Sequence, residues 1–183
     1  MSYHDELCKA MLMLAEQPNV IFLGQGVGNP GTSMWSTLSD VPRKKCLEMP
    51  VAEELQMGMA IGMALEGYLP VCIFPRWNFM LRAADQLVNH LDRLPIYSGG
   101  EFKPKVIIRT AVPSKSPFNP QAQHDDDFTS AFEEIFRTVE IMRCRKANDI
   151  YTLYDVAAKS YRSFVMVEYT ELYRNERGNE RSR

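Results

Sequence analysis

Short apolar runs at residues 20–23, 46–47, 71–74, 106–108, 139–142 and 164–167 alternate with longer stretches that are apolar on one face, and this alternation constrains the fold more than any other feature. Runs of that length read as strands. The longer stretches read as helices: Trp77, Met80, Leu81, Ala84, Leu87, Val88, Leu91 and Leu94 recur at spacings of three and four. Such spacing places them on one helical face and leaves Arg82, Asp85, Asn89 and Asp92 mostly outside it. Repeated strand-helix-strand order implies crossover connections, hence a mainly parallel central sheet with helices on both faces, a three-layer α/β sandwich. Sheets of this kind bind ligands beyond the carboxyl ends of their strands. Function is therefore expected in loops that follow strands. The longest such loop runs from 111 to 127 and carries Pro113, Pro117, Pro120 and the acidic run Asp125, Asp126 and Asp127.

A chain of 183 residues, 45% of them hydrophobic, has room for one sizeable core. Residues 1–172 are expected to form a single domain and residues 173–183 a polar, charged tail. With 21 basic against 23 acidic side chains, nothing in the overall charge favours nucleic acid or an anionic membrane as a partner. No apolar run reaches the length of about 18 residues that a membrane span requires. Cys8, Cys46, Cys72 and Cys144 stand far apart, and His4, His90 and His124 supply no zinc spacing, so neither a metal site nor a disulfide framework is signalled. Scattered thiols without an export signal point to the cytoplasm.

Residues 26–31, Gly-Val-Gly-Asn-Pro-Gly, match the G-x-G-x-x-G turn of dinucleotide-binding proteins. That turn must open a helix whose first amides receive the pyrophosphate, and the sequence TSMWSTLSDVP that follows is rich in Ser and Thr and broken by Pro42. A tight turn is the better reading, with a nicotinamide enzyme the minor alternative. Further along, Glu53 and Glu54 open a stretch, 55–65, that is otherwise free of charge and carries Gly58 and Gly62 four residues apart. Acids in a first helical turn are explained by the helix dipole alone. The two glycines point further, to a buried helix approached closely by another backbone, of this chain or of another subunit.

The stretch MPVAEELQMGMAIGMALEGYLPVCIF, followed by RWNFMLRAADQLVN, IYSGGEFKPKVIIRT and QAQHDDDF, resembles the pyrimidine-binding domain of thiamine-diphosphate-dependent enzymes. The similarity is greatest to the beta subunit of 2-oxo-acid dehydrogenase E1, such as pyruvate dehydrogenase, and extends to transketolase. The resemblance implies that Glu53 is the family's essential glutamate, that Phe79 lies against the aminopyrimidine ring, and that His124 faces the reactive carbon. Arg82 then stands near the substrate. In this family the glutamate hydrogen-bonds ring nitrogen N1' and so promotes loss of the C2 proton of the thiazolium ring. A core aromatic and a solvated loop histidine remain the plain readings of Phe79 and His124.

No Gly-Asp-Gly occurs in the chain, although the family binds Mg2+ and the diphosphate through that motif. The resemblance therefore implies a diphosphate-binding, E1 alpha-like partner subunit that holds Mg2+, in a hetero-oligomer such as α2β2. The C-terminal domain that usually follows in the family has no counterpart after Glu168, as in a minimal or split version. Other departures bear on the substrate. Gln25 stands where the family usually has an acid, Arg82 where it often has glutamine, and Asp125 to Asp127 follow the histidine and are expected to favour its protonated form. Residues 111–120 lack the family's glycine-rich stretch. The expected activity is decarboxylation of a 2-oxo acid with transfer of the acyl unit. A ketose-acting, transketolase-like activity and a catalytically silent regulatory scaffold are the alternatives.

Overall fold

The computed structural model describes residues 1–114 and 123–173. Six strands form one sheet: β1 (Val20–Gly24), β2 (Cys46–Glu48), β3 (Leu69–Ile73), β4 (Ile107–Val112), β5 (Glu140–Arg143) and β6 (Phe164–Tyr169). Their order is β2-β1-β3-β4-β6-β5, and every neighbouring pair is parallel. Each expected strand is present and begins within two residues of its apolar run, with β4 extending four residues further. The chain leaves β1 towards one edge to make β2 and then returns to the other side of β1 for β3. The strand order thus reverses between β1 and β3, which is where an open parallel sheet offers a crevice at its carboxyl ends.

Side chains alternate between two apolar layers, as strand geometry demands. Val20, Phe22, Val71, Ile73, Ile107, Phe164 and Met166 pack under α1 (Tyr3–Glu16) and α6 (Ala147–Lys159). Leu23, Cys72, Ile108, Val165 and Val167 pack under α2 (Glu53–Leu65), the segment 77–97 and α5 (Thr129–Ile135). α1 begins in a capping box: Asp5 N donates to Ser2 Oγ at 3.0 Å, and Ser2 N donates back to Asp5 Oδ2 at 3.3 Å. Reciprocal caps of this kind satisfy two amides that no helical carbonyl can reach.

The helix expected across 77–94 is not continuous. It is built from α3 (Trp77–Met80), a 3₁₀ turn (Leu81–Ala83), a π-helical stretch (Gln86–Asp92) and α4 (Leu94–Tyr97). Trp77, Met80, Ala83, Leu87 and Leu91 still form the buried face, but Leu81 is exposed and Asp92 is fully buried. The wider π turn explains the reversal, because it carries Asp92 inward. There its carboxylate accepts from the backbone amides of Arg137, Thr138 and Val139 at 2.7 to 3.0 Å, holding the entry to β5. The glycines of α2 are not crowded from within the described chain. A side chain at Gly58 would meet nothing nearer than Gln86 Oε1 at 3.7 Å, and one at Gly62 would meet nothing within 4 Å. Among the described residues no backbone crowds them, and the outer face of α2, with Leu55, Met59 and Leu65, is exposed.

Between β4 and β6 lies a sealed charge pair. Arg109 donates from Nε to Glu168 Oε1 at 2.7 Å and from Nη2 to Glu168 Oε2 at 3.0 Å. Tyr154 and Tyr173 donate their hydroxyls to the same carboxylate, and Arg109 Nη2 also reaches Thr37 Oγ1 at 3.1 Å. Burial works against the Arg109 charge, and Glu168 more than reverses it, so the guanidinium is held above its ordinary range. Burial, reinforced by Glu168, pushes the Tyr154 and Tyr173 hydroxyls well up. Tyr173, the first residue of the expected tail, is thus part of the core; the rest of that tail lies outside the described residues.

Candidate functional site

The loops beyond the carboxyl ends of β1, β2 and β3 bring the candidate residues together. After β1 the chain turns sharply at Gly26, whose φ of 68° is a left-handed value that glycine adopts without strain. Three successive amides then point at one carboxylate: Gly26 N, Val27 N and Gly28 N donate to Glu48 at 2.6, 3.0 and 2.6 Å. The glycine motif is an anion nest, and its anion is this chain's own side chain at the end of β2. No α-helix follows it; residues Trp35–Leu38 make a single 3₁₀ turn. That arrangement leaves no amides for a pyrophosphate.

Glu53 opens α2 and is 4% exposed. Gln25, the first residue after β1, donates from Nε2 to Glu53 Oε1 at 3.4 Å. The other carboxylate oxygen, Oε2, is buried and receives no aligned hydrogen bond among the described residues. Arg82 Nε comes within 3.3 Å of it, near enough to ion-pair but not directed as a hydrogen bond, from a side chain that is 74% exposed. Neighbouring Glu54 faces solvent. The two first-turn acids, alike in sequence, are therefore unlike in place.

Glu53, Phe79, Arg82 and His124 line one cleft of about 520 Å³, together with Val51, Asn78, Leu81 and Gln123. Phe79 and His124 meet edge to face, with ring centroids 5.3 Å apart. The same two rings also border a second cleft of about 390 Å³, formed by Gly31 to Met34, Pro75, Arg76, Pro113, Ser114 and Thr170. His124 Nδ1 is buried without a hydrogen-bond partner among the described residues. The acidic run beside it is divided among other duties: Asp126 accepts from Asn78 Nδ2 at 2.8 Å, and Asp127 accepts from Thr129 N at 3.0 Å at the start of α5. Residues 115–122 of the long loop lie outside the described residues.

Asn78, Gln123, Arg76 and the hydroxyls of Thr32, Ser33, Ser114 and Thr170 were not singled out from sequence. Their shared signal is position, since each follows a strand or borders the long loop. Fold and cleft together define a three-layer α/β domain with clefts at the carboxyl edge of a parallel sheet. The family model described as the transketolase, pyrimidine binding domain matches residues 9–175, and the chain belongs to that family. The pyruvate dehydrogenase E1 component subunit beta of Cyanidium caldarium is 30% identical over 164 residues, 87% of this chain and 49% of that protein. The mitochondrial subunit of the same name from Drosophila melanogaster is 28% identical over 123 residues, 64% of this chain and 32% of that protein. The chain spans about half the length, or less, of these curated relatives. Among solved structures, a chain titled split gene transketolase, inactive beta4 tetramer, shares the fold with a TM-score of 0.71 at 18% identity, covering 92% of this chain and 51% of that one.

This is a family of thiamine-diphosphate-dependent enzymes, and the residues present fit the pyrimidine end of that cofactor. A buried carboxylate oxygen without a donor calls for a ring N–H, and the Phe79 ring beside it offers a flat apolar wall.

Proposed function

We propose that this chain supplies the aminopyrimidine-binding half of a thiamine-diphosphate active site, with the diphosphate and its Mg2+ held by an E1 alpha-like partner in a hetero-oligomer such as α2β2. The observation that carries this reading is the Glu53 carboxylate, almost sealed, anchored on one oxygen by Gln25 and without an aligned hydrogen bond among the described residues on the other, in the wall of a cleft bordered by Phe79. When bound, the cofactor supplies an acidic thiazolium carbon and an electron sink for cleaving a bond next to a carbonyl. Glu53 would hold and share a proton at Oε2, while Phe79 excludes water from that face. His124 is available to orient a substrate carboxylate or to move a proton on the substrate. Arg82 offers a cation at the mouth.

Decarboxylation of a 2-oxo acid with acyl transfer is the favoured reaction, since the relatives matched across most of this chain are named as pyruvate dehydrogenase E1 beta subunits. A ketose-acting role has its own support in Arg76 and the Thr32, Ser33, Ser114 and Thr170 side chains of the second cleft, which suit a polyhydroxylated anion. The exposed apolar face of α2 is a ready seat for the partner chain. Calorimetric titration with thiamine diphosphate and Mg2+ tests the reading. The isolated chain should bind weakly or not at all and become stoichiometric once the partner is added; tight binding by the isolated chain would overturn the split site. In the complex, Glu53→Gln should slow C2 proton exchange by at least ~100-fold with assembly intact. Glu54→Gln should leave exchange near the wild-type rate.

A further inference from the structure

Another cavity lies at the opposite end of the sheet. Residues 103–104, 137–138 and 161–163 run just ahead of β4, β5 and β6, so they meet beyond the amino ends of those strands, whereas Glu53, Phe79 and His124 follow carboxyl ends. With Leu91 of the π-helical stretch they border an open cavity of about 190 Å³. Its floor is apolar, since Leu91 and Pro104 are buried, and the exposed Tyr161 ring stands at its rim.

The neutral polar groups of this cavity are already engaged. Ser163 Oγ donates to the Pro104 carbonyl at 3.0 Å and accepts from Val106 N at 3.0 Å. Thr138 Oγ1 donates to the Asp92 carbonyl at 2.7 Å, and the Asp92 carboxylate accepts from the amides of Arg137 and Thr138. The π turn that buries Asp92 thus also sets the places of Leu91 and Arg137, and turns of this kind recur at functional sites.

What remains to meet a ligand is positive charge. Lys103, Arg137 and Arg162 line the cavity, and among the described residues no carboxylate does. Arg162 is occupied, since it donates to Glu140 at the start of β5 and lies over the Tyr161 ring at 5.7 Å. The Arg137 guanidinium and the Lys103 ammonium have no hydrogen-bond or ion-pair partner among the described residues. Cations gathered around an apolar floor repel one another, and an anion set between them relieves that repulsion. A cavity of about 150 Å³ admits benzene, so this one has room for a single ring.

We propose that this cavity binds a small aromatic carboxylate, with its ring on Leu91 and Pro104 and its head group on Arg137 and Lys103. The fork of a guanidinium matches the two oxygens of a carboxylate, and Lys103 adds a second charge. The Tyr161 ring and the guanidinium over it offer flat faces that favour an aromatic body over an aliphatic one. The proposal stands whether or not the Glu53 cleft binds thiamine diphosphate.

Titration of the nitrogen-15-labelled full chain with benzoate, followed through its amide resonances, tests this. Benzoate should give saturable shifts at the amides of Lys103, Arg137 and Thr138, with a Kd on the order of 1 mM or tighter. Benzamide, the ring without the charge, and acetate, the charge without the ring, should each bind at least ~5-fold more weakly. Arg137→Gln should weaken benzoate at least ~5-fold, and Lys44→Gln, an exposed lysine beside the far edge strand, should leave it unchanged. Shifts that do not saturate or that arise only around the Glu53 cleft, benzamide or acetate binding as well as benzoate, or an unchanged affinity in Arg137→Gln overturns the proposal. Should Arg137→Gln lose the dispersed spectrum of a folded chain, Lys103→Gln takes its place with the same two outcomes.

Discussion

Glu168 and Glu53 are both nearly sealed from solvent and both stand beside an arginine, yet their surroundings differ in completeness. Glu168 takes two hydrogen bonds from Arg109, one from Tyr154 and one from Tyr173, and every one of those partners is buried. Glu53 takes one long bond from Gln25, and its arginine is mostly in solvent. A carboxylate whose acceptor sites are filled from within has nothing left to offer a ligand. One left half-served in a cleft does, and desolvation without compensation is tolerable at a site that a ligand completes.

The contrast can be broken most forcefully at the sealed pair. Glu168→Ala leaves Arg109 buried without its counter-charge and should lower the urea unfolding free energy by ~3–5 kcal/mol, a loss that a joint Arg109→Met, Glu168→Leu replacement largely restores. A change under ~1 kcal/mol would mean that the network is not what holds β4 to β6. Alkali attacks the same place. Tyr154 and Tyr173 have hydroxyls raised in the folded state, so the stability they contribute is complete below their unfolded value near 10 and drains away as pH climbs towards the folded ones. The urea midpoint should therefore fall above about pH 10, with tyrosinate absorbance and loss of structure rising together.

An intermediate effect is expected at the glycine nest, where Glu48→Ala removes the acceptor of three amides at the surface of the turn and should destabilise the chain by ~1–3 kcal/mol. The smallest effects sharpen the comparison from its other side. Glu53→Gln should shift unfolding by less than ~1 kcal/mol, because the site is not completed from within, and Arg82→Ala by less than ~0.5 kcal/mol, because its side chain is largely solvated. Equal stability losses at Glu53 and Glu168 would erase the distinction.

The sheet was legible because parallel strands buried on both faces leave continuous apolar runs that no solvated segment needs. The winding of 77–97 was not. A π turn is selected here by Asp92 meeting the amides of residues 137–139, partners 45 and more positions away that local periodicity cannot register. The glycine turn could be read as a turn, but the carboxylate that fills it comes from an edge strand 20 to 22 residues downstream. Glu53, Phe79, Arg82 and His124 were legible through family resemblance, and they line one cleft. Composition alone could not have separated Glu53 from Glu54. Arg109 and Glu168 were missed although a signal exists: each is a lone charge in an otherwise apolar strand, and the two are of opposite sign. Parallel register sets Arg109 against Met166 and Ala111 against Glu168, putting both charges on one face of adjacent strands.

Tyr3 ties α1 to parts of the chain made much later. Its hydroxyl donates to the Cys144 carbonyl at 2.5 Å and accepts from the Tyr169 amide, 166 residues on, at 3.2 Å. Leu7, Met11 and Leu14 behind it are fully buried against elements that include α6. On a ribosome adding roughly 5–20 residues per second, α1 waits on the order of ten to thirty seconds for its seat. Throughout that interval its apolar face has no native cover, so newborn chains should lean on holding chaperones until β6 has emerged, and premature release should favour aggregation through this helix.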